Sequence, residues 1–361
     1  MCSVIIFDIL GAYCGMHYYD MAFAEILREH NCKAVICSNF TEDKSKPYLK
    51  QFFSCGKIKG FLRIFLSYWT FLFLVIRNKK SKIVYLTYGE LYEIPYLLIS
   101  LLSNNVYIDV HEIHALKYKD KSIISKFFEW IYKHGIHNVI YHSDRTGDIL
   151  RHDKLNMIYA PHFKYIFQKK FEEDKLSNEI KKCFNSNKIK FLFFGNLSRV
   201  KGIDIVLTTF DKLRNEGVDF ELVIAGKNVD NIDFTELNCD NIKIIDRHIN
   251  DDELVYLYSS TDYVLLPYKK SSQSGIFAMA AYFHKPMILT DIPYFKKMIK
   301  EYPSFGICVN ESLFKEVIIS QIREYSSKTY YKKEDCERFE MKKEMDEFVK
   351  SLIGYNKNSH M

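Results

Sequence analysis

Residues 262–291 read DYVLLPYKKSSQSGIFAMAAYFHKPMILTD, and the order of patterns in this segment decides the fold. The apolar run at 262–267 predicts a buried strand that ends at a proline. Four small polar residues and Gly275 follow, and an apolar-rich stretch then predicts a helix. Residues 286–290 predict a second short strand. We therefore expect a strand, a polar loop, a helix N-terminus and another strand.

The N-terminus of the helix in this segment is a candidate anion site. The first N–H groups of a helix have no acceptor within the helix, and the helix dipole adds partial positive charge there. Ser274 would add a hydroxyl, and Gly275 and Ile276 would supply the amides. We interpret this site as the seat of a diphosphate. Ser274 could equally act only as the N-cap that any helix uses.

The length of the chain and the alternation of its elements predict an α/β fold with two domains. A chain of 361 residues is long enough for two cores. Strand and helix patterns alternate in both halves, which indicates two Rossmann-like domains with parallel sheets facing a cleft. The last helix is expected to cross back to the N-terminal domain. The predicted parts are an N-terminal domain, a linker, a C-terminal domain, and a helix with a tail, at 1–165, 166–187, 188–330 and 331–361.

The candidate site residues share one position in this pattern, the carboxyl ends of predicted strands. Ligands of open parallel sheets bind at those ends. The residues placed there are Gly15, His17, His111, Lys201, Gly226, Arg247 and Ser274. Their common position favours one site in the cleft.

The positive charge of the chain is concentrated in residues 44–82. The net charge is +6, and this stretch alone holds ten Lys and Arg residues and no Asp or Glu. Within it, residues 64–76 are uncharged but fewer than the roughly 20 that span a bilayer. We expect peripheral contact with an anionic membrane surface, with Trp69 at the interface. The alternative is a buried helix with a solvated basic flank. The apolar character disfavours nucleic acid as the partner.

The cysteines and the first residues favour a reducing, cytoplasmic setting. The nine cysteines are scattered, and they form no Cys-x-x-Cys pair. This argues against a disulfide framework and against a zinc site. Residues 3–9 predict a strand rather than part of a signal peptide. We expect a cytoplasmic protein at the inner face of the cell membrane.

The C-terminal half resembles the GT-B glycosyltransferases, and among them family 4, a large retaining group. Residues 191–204 read FLFFGNLSRVKGID and are similar to the family's strand, loop and Lys-Gly pair. Residues 223–226 are similar to its next strand and nucleotide-base loop. Residues 262–267 and 285–291 also align with segments of the family's pattern. The resemblance implies a C-terminal domain that binds a nucleotide sugar and an N-terminal domain that binds an acceptor.

The family's phosphate-binding lysine corresponds to Lys201, and Arg199 would assist it. Negative charge grows on the leaving diphosphate during sugar transfer, so positive charge and N–H donors aimed at its oxygens favour the reaction. Ser274 and the amides of Gly275 and Ile276 would bind the other phosphate oxygens. A lysine exposed after a strand is the alternative interpretation of Lys201.

The resemblance is weaker in the N-terminal half, where residues 110–112 are similar to an acceptor-side strand end. The family's histidine at this place contacts the transferred sugar, which implies this role for His111. Glu112 or His114 would then orient the acceptor hydroxyl. A structural histidine bonded to the backbone is the alternative for His111.

The remaining candidates surround the donor. Gly15 would let the backbone approach a ligand, and His17 would act on the acceptor or phosphate side or be structural. The candidates on the base side of the donor are Gly226, Lys227, Arg247 and His248, and Asn196 is a further donor-binding candidate.

One departure from the family concerns its two glutamates, which usually stand eight positions apart around this helix. Those positions hold Ser271 and Met279, and neither is acidic. The glutamates' roles near the sugar and the ribose are therefore unassigned. The sequence also has no Asp-x-Asp pair in a plausible metal loop, so we expect no essential metal and no cofactor beyond the nucleotide-diphosphate sugar co-substrate.

The resemblance implies a retaining, metal-independent hexosyltransferase. It would move a hexose from a nucleotide sugar to a lipid-linked or polysaccharide acceptor, in the assembly of capsule, lipopolysaccharide O-antigen or exopolysaccharide. The missing glutamates motivate an alternative, a GT-B-like protein that binds a glycan or partner without turnover. A third hypothesis is that the protein is another GT-B enzyme that acts on a nucleotide sugar, such as an epimerase.

Overall fold

The computed structural model of the chain divides into two compact units. The first comprises Met1–Ile166 with Met341–Met361, and the second comprises Phe167–Glu340. The structure describes residues 2–11, 16–38, 49–51, 61–111, 123–161, 163, 170–234, 240–271, 273–324, 331–339 and 342–354.

The first unit is built on a parallel sheet of seven strands in the order β3-β2-β1-β4-β5-β6-β7. Val, Ile and aromatic residues dominate these short runs, as is typical of strands buried on both faces. The strands are β1 (Ser3–Phe7), β2 (Lys33–Ser38), β3 (Leu49–Gln51), β4 (Lys82–Thr87), β5 (Val106–Val110), β6 (Asn138–Tyr141) and β7 (Asn156–Tyr159). The sequence did not predict β3, because three residues are too few to show a period.

The described helices between these strands lie on both faces of the sheet. They are α1 (His17–Glu29), α2 (Phe61–Arg77), α3 (Ile94–Ser100), α4 (Ile123–His134) and α5 (Asp144–Leu150). The step from β1 to β2 runs opposite to the steps from β4 to β7, so right-handed crossovers place α1 and the later helices on opposite faces. Phe71, Tyr96 and Phe128 come from α2, α3 and α4 and join one core cluster, so these three helices share a face.

The second unit is built on a parallel sheet of six strands in the order β10-β9-β8-β11-β12-β13. The strands are β8 (Lys190–Phe194), β9 (Glu221–Gly226), β10 (Ile242–Asp246), β11 (Tyr263–Leu266), β12 (Met287–Thr290) and β13 (Gly306–Val309). The described helices are α6 (Asn178–Lys181), α7 (Ile203–Asn215), α8 (Asp251–Ser260), α9 (Gly275–Tyr282), α10 (Pro293–Glu301), α11 (Phe314–Glu324) and α12 (Lys333–Phe339). The strand, loop, helix and strand predicted at 262–291 are confirmed as β11, its loop, α9 and β12.

The last described helix, α13 (Lys342–Ile353), packs on the first unit. Its Asp346 lies 2.7 Å from Nε2 of His30, and the ring of Phe348 packs against those of Phe23 and Phe163. The predicted return of the C-terminal helix is confirmed. One helix was expected over about 332–353, whereas the structure has α12 and α13, which belong to different units.

The two sheets confirm the predicted architecture of two Rossmann-like domains. The strand order reverses between β1 and β4 in the first unit and between β8 and β11 in the second. Ligands of such sheets bind outside the carboxyl ends of the strands at this reversal. Of the helices that the structure describes, none is long and apolar enough to cross a membrane.

Candidate active site

Gly202 brings the loop after β8 against the chain that follows β11. Its φ is 76°, and a methyl group built on it would lie 1.8 Å from the carbonyl oxygen of Pro267. Only glycine fits this approach. The amide of Lys269 also donates to the carbonyl oxygen of Val200 at 3.0 Å. Lys201 is thereby held beside the residues that follow β11, at the reversal of strand order.

The charge of Lys201 has a defined place in this loop. Its Nζ lies 3.9 Å from the centroid of the Tyr268 ring. Tyr268 is buried and Lys201 is partly exposed. A cation over an aromatic face gains about 0.5–1 kcal/mol at exposed sites, and more where water is excluded. The ring therefore holds a positive charge at the carboxyl ends of β8 and β11.

Tyr268 also contacts the cap of α9. The hydroxyl of Ser274 lies 3.4 Å from the hydroxyl of Tyr268, and it accepts a hydrogen bond from the amide of Phe277 at 3.2 Å. Ser274 is only 3% exposed, so its side chain serves as an N-cap. The amides of Gly275 and Ile276 open the helix and have no intrahelical acceptor. Tyr268 thus contacts both the ammonium of Lys201 and the residue that caps the N-terminus of α9.

The start of the loop after β8 and the loop after β9 lie near the same helix end. Gly195 has a φ of 111°, and a methyl group on it would lie 3.3 Å from Cδ1 of Ile276. Gly226 has a φ of 143°, and a methyl group on it would lie 1.8 Å from the carbonyl oxygen of Gly195. The amide of Leu197 donates to the carbonyl oxygen of Lys227 at 2.8 Å. The loops after β8, β9 and β11 therefore lie together.

The other predicted donor residues of the second unit lie around these loops. The side chains of Asn196, Arg199 and Lys227 are exposed. The amide of Arg199 donates to Asp230 at 2.8 Å, which fixes its backbone but not its guanidinium.

Arg247 follows β10, and its guanidinium forms a structural clamp that the sequence did not predict. It donates to both carboxylate oxygens of Glu253 at 2.7 and 2.9 Å, and it also bonds to Ser177 at 2.8 Å and Glu179 at 3.3 Å. The hydrogen bonds to Glu253 raise the pKa of Arg247. A donor contact by Arg247 would compete with these bonds.

The positions of the family's glutamates are occupied by residues with local roles. Ser271 is partly exposed, and its hydroxyl donates to the carbonyl oxygen of Gln273 at 2.5 Å. Met279 is buried within α9. Neither side chain supplies a carboxylate for the sugar or the ribose.

In the first unit, a buried polar cluster surrounds Asp109 near the end of β5. One oxygen of Asp109 accepts from the hydroxyl of Tyr19 at 2.7 Å, and the other lies 2.6 Å from Nε2 of His142. Nε2 of His111 lies 3.6 Å from that second oxygen. The ring of His111 stacks on His142 with centroids 4.7 Å apart and meets Tyr19 edge-on. The predicted sugar-contacting histidine is thus held by three side chains.

Both ring nitrogens of His142 face acceptors. Nδ1 lies 3.0 Å from the carbonyl oxygen of Ala160, and Nε2 faces Asp109. The side chains of both residues are almost completely buried. The pair is therefore a buried hydrogen bond between a histidine and a carboxylate.

The pKa values of Asp109 and His111 both lie below their ordinary values, for different reasons. Burial alone would raise the pKa of Asp109, but His142 and His111 outweigh it, and that pKa lies well below its ordinary value. Burial lowers the pKa of His111, although Asp109 acts against this change. His111 is therefore neutral near pH 7, and a neutral imidazole can both donate and accept a hydrogen bond.

A second buried carboxyl pair lies near this cluster. Asp8 follows β1 and accepts from the amides of Leu10 and Gly11 and from the hydroxyl of Tyr88. Burial first, and then the charges of Asp8 and Asp109, raise the pKa of Asp20 well above its ordinary value.

Asp109, His111 and His142 are also the described residues that could hold a metal ion. Their ligand atoms lie within 4.8 Å of one another. Two ligands of one zinc ion each stand about 2.0–2.2 Å from it at a tetrahedral angle, and are therefore farther apart than a hydrogen bond. The 2.6 Å between Asp109 and His142 is a hydrogen-bond distance. In this structure Asp109 and His142 are therefore joined by a hydrogen bond.

Of the other N-terminal candidates, His17 opens α1, and its ring packs on that of Tyr18 at 3.8 Å between centroids. Gly15 and Glu112 lie outside the described residues. Sequence reasoning missed Asp109, His142 and Tyr268. Asp109 lies one residue before the end of β5, His142 one residue beyond β6 and Tyr268 two residues beyond β11, and this shared position near a strand end was the available signal.

Comparisons with known proteins agree with this arrangement. Residues 174–344 match the family model described as "Glycosyl transferases group 1". No curated protein sequence matches the chain significantly. The sucrose-phosphate synthase of Thermosynechococcus elongatus is 13% identical, with a TM-score of 0.64 over 98% of this chain and 95% of that one.

Two further solved structures are similar over almost their whole length. HepE of Anabaena, in complex with UDP-glucose, is 11% identical, with a TM-score of 0.65 over 98% of this chain and 99% of that one. WaaG, a glycosyltransferase involved in lipopolysaccharide biosynthesis, is 11% identical, with a TM-score of 0.59 over 98% and 94%. At such identities the likeness shows the fold. The chain therefore has the GT-B fold of glycosyltransferases, and its residues 174–344 match the model of glycosyl transferases group 1.

Proposed function

We propose that this protein is a hexosyltransferase that uses a nucleoside-diphosphate sugar as its donor. One observation carries the proposal: the ammonium of Lys201 lies on Tyr268, whose hydroxyl contacts the Ser274 cap of α9. This arrangement places a cation and a helix N-terminus together at the reversal of strand order. Both favour an anion, and a diphosphate carries enough oxygens for both.

In this reaction the bond between the anomeric carbon and the diphosphate oxygen breaks, and a bond to the acceptor oxygen forms. Negative charge develops on the departing diphosphate. Lys201 would neutralise one phosphate, and the amides of Gly275 and Ile276 would bind the other, which stabilises the transition state. The proton of the acceptor hydroxyl passes to the leaving phosphate. We expect retention of configuration.

The remaining site residues have subsidiary roles in this proposal. His111, which is neutral because it is buried and which stacks on His142, would contact the transferred sugar, and Glu112 would orient the acceptor. Gly15 and His17 would lie on the acceptor or phosphate side. Gly226 would lie on the base side of the donor, with Asn196, Arg199 and Lys227 as further donor contacts. Lys201 and the helix end would replace a metal, so EDTA should leave turnover unchanged.

The acceptor is proposed to be lipid-linked or a polysaccharide, in the assembly of capsule, lipopolysaccharide O-antigen or exopolysaccharide. The protein would work in the cytoplasm at the inner face of the membrane, with residues 44–82 on anionic lipid. WaaG, which is involved in lipopolysaccharide biosynthesis, supports this class of acceptor by its similarity. Within residues 44–82, α2 exposes an apolar stripe beside basic residues.

A panel of donors in a nucleotide-release assay tests the activity. UDP-glucose is the first donor to try, because HepE was solved in complex with it. Each donor should be assayed with and without a lipid-diphosphate sugar, and acceptor-dependent release of nucleotide is expected for one of them. The alternative is a protein that binds glycans without turnover. It predicts no release from any donor and no heat of binding for nucleoside diphosphates in calorimetry.

A further inference from the structure

Exposed apolar side chains are concentrated on one side of the first unit. Fifteen large hydrophobic residues of the described chain are exposed, and eleven of them lie on α2, α3, α4 or the turns next to α3. Single exposed hydrophobic residues are normal on a protein surface, but clusters mark interaction sites. The remaining four are scattered.

Helix α2 has two apolar sides with different surroundings. Phe71 and Leu74 are buried in the core. The opposite side carries Leu62, Phe65, Trp69, Phe73 and Ile76, which are 45–59% exposed. Their spacing of three or four residues places them in one stripe along the helix. Only one of the two apolar sides of α2 therefore packs into the core.

Helix α4 presents a second apolar stripe, outside residues 44–82. Ile123 is 86% exposed and Trp130 is 56% exposed. The indole of Trp130 stacks between the rings of Phe127 and His134, with centroids 6.4 and 5.9 Å away. These contacts hold the indole on the outside of the helix.

The outer sides of these helices belong to one surface. The buried sides of α2, α3 and α4 join a single core cluster on one face of the sheet. Tyr68 of α2 packs on Tyr96 of α3, with ring centroids 4.6 Å apart. A methyl group on Gly135, just after α4, would lie 3.0 Å from Leu101, just after α3. We call the combined outer surface of α2, α3 and α4 the helical face.

The charges around the helical face are mainly positive. Helix α2 and α3 contain no Asp or Glu, and the exposed Arg77 lies over the ring of Phe73 at 5.0 Å. Lys79 and Lys80 follow α2 and are exposed. Helix α4 carries Lys126 and Lys133 against one acidic residue, Glu129. An apolar surface with tryptophans and basic residues is complementary to an anionic lipid bilayer.

We propose that the helical face docks the first unit on an anionic lipid bilayer, with α4 inserted alongside α2. This inference deepens the proposed function, because it extends the lipid contact beyond residues 44–82 and fixes which side of the acceptor-binding domain meets the membrane. Trp69, Phe73 and Trp130 would enter the headgroup boundary. Arg77, Lys79 and Lys126 would contact anionic headgroups.

Flotation of the full chain with vesicles tests the proposal, and it does not depend on turnover. Vesicles of phosphatidylcholine alone are compared with vesicles that also contain phosphatidylglycerol. The variants are a W69A/F73A pair on α2, an I123S/W130A pair on α4, and Leu313→Ser as a control, because Leu313 is 53% exposed in the other unit. Thermal melts show whether each variant folds, and size-exclusion chromatography reports its oligomeric state.

The wild type should float with anionic vesicles and bind about tenfold less in high salt, because salt screens the basic residues. Each pair of substitutions should weaken binding about tenfold, since each removes two anchors, and Leu313→Ser should not. Three results would overturn the proposal: equal binding to neutral and anionic vesicles, full binding by the folded α4 pair, or a wild-type dimer that both pairs convert to monomers. Nucleotide release measured on the same samples separates a failure of docking from a failure of the proposed activity.

Discussion

The ammonium of Lys201 lies 3.9 Å from the centre of the Tyr268 ring, although the two residues come from loops 67 positions apart. Gly202 makes this possible, because its lack of a side chain lets the loop after β8 reach Pro267. The same tyrosine contacts the Ser274 hydroxyl that caps α9. The proposed diphosphate site therefore depends on the tyrosine as much as on the lysine.

The ring of Tyr268 should be required for donor turnover. Tyr268→Leu removes the aromatic face, and we expect kcat/KM for the donor to fall about tenfold, within the range of a cation–π contact. Tyr268→Phe keeps the ring and loses only the long bond to Ser274, so it should retain most of the activity. Equal losses in the two variants would show that the aromatic face does not position Lys201.

Gly202 should tolerate no side chain, and Gly217 provides a matched control. Both have a φ near 70°, but a methyl group on Gly217 would meet nothing within 4 Å. Gly217→Ala should cost about 1–2 kcal/mol in the free energy of unfolding, because of its left-handed backbone. Gly202→Ala should cost about 1–3 kcal/mol more, because it collides with Pro267. Urea unfolding measures both, and equal costs would contradict the close approach.

Arg247 should contribute to stability more than to donor affinity. Arg247→Gln leaves the carboxylate of Glu253 buried without its partner, and we expect a loss of about 2 kcal/mol. The KM for the donor should change less than twofold. Arg214→Gln is the control, since Arg214 pairs with Asp211 on a more exposed surface. A large rise in KM without destabilisation would instead assign Arg247 to the donor site.

The buried Asp109–His142 pair should make the free energy of unfolding depend on pH in the acid range. The pKa of Asp109 is lowered on folding, so the unfolded chain binds more protons, and the stabilisation is lost as pH falls below the ordinary value of 3.8. Asp109→Asn replaces the buried carboxylate that is bonded to Tyr19 and His142, and should cost about 1–3 kcal/mol at pH 7.

Denaturant unfolding between pH 6 and pH 3 measures the difference in the free energy of unfolding between wild type and Asp109→Asn. The stability gap between wild type and Asp109→Asn should narrow as pH falls. A gap that stays constant across this range would show that Asp109 is not a paired carboxylate.

The elements of the C-terminal half could be predicted because apolar runs and a glycine mark them. The segment at 262–291 contains a strand, a cap and a helix that differ clearly in pattern. The role of Tyr268 could not be predicted, because it depends on which strands become neighbours. β8 pairs with β11, and only this pairing places Lys201 on the tyrosine.

The contacts within the polar cluster of the first unit could not be predicted from the sequence either. Asp109 and His142 are 33 positions apart in the sequence. They meet because β5 pairs with β6, which sets Val110 opposite Tyr141. Each residue type is common at a strand end, and the sequence contains no local pattern that joins them. His111 was predicted from a family resemblance, whereas its neighbours required the sheet.

The measurement that tests the central claim most directly compares Lys201→Met with Lys212→Met in a nucleotide-release assay. Lys212 is an exposed lysine on α7 of the same unit, so its variant controls for the loss of one surface charge. We predict that Lys201→Met lowers kcat about 100-fold or more, as loss of one donor to a developing charge does, and that Lys212→Met does not. Unchanged turnover in a correctly folded Lys201→Met protein would contradict the proposed diphosphate site.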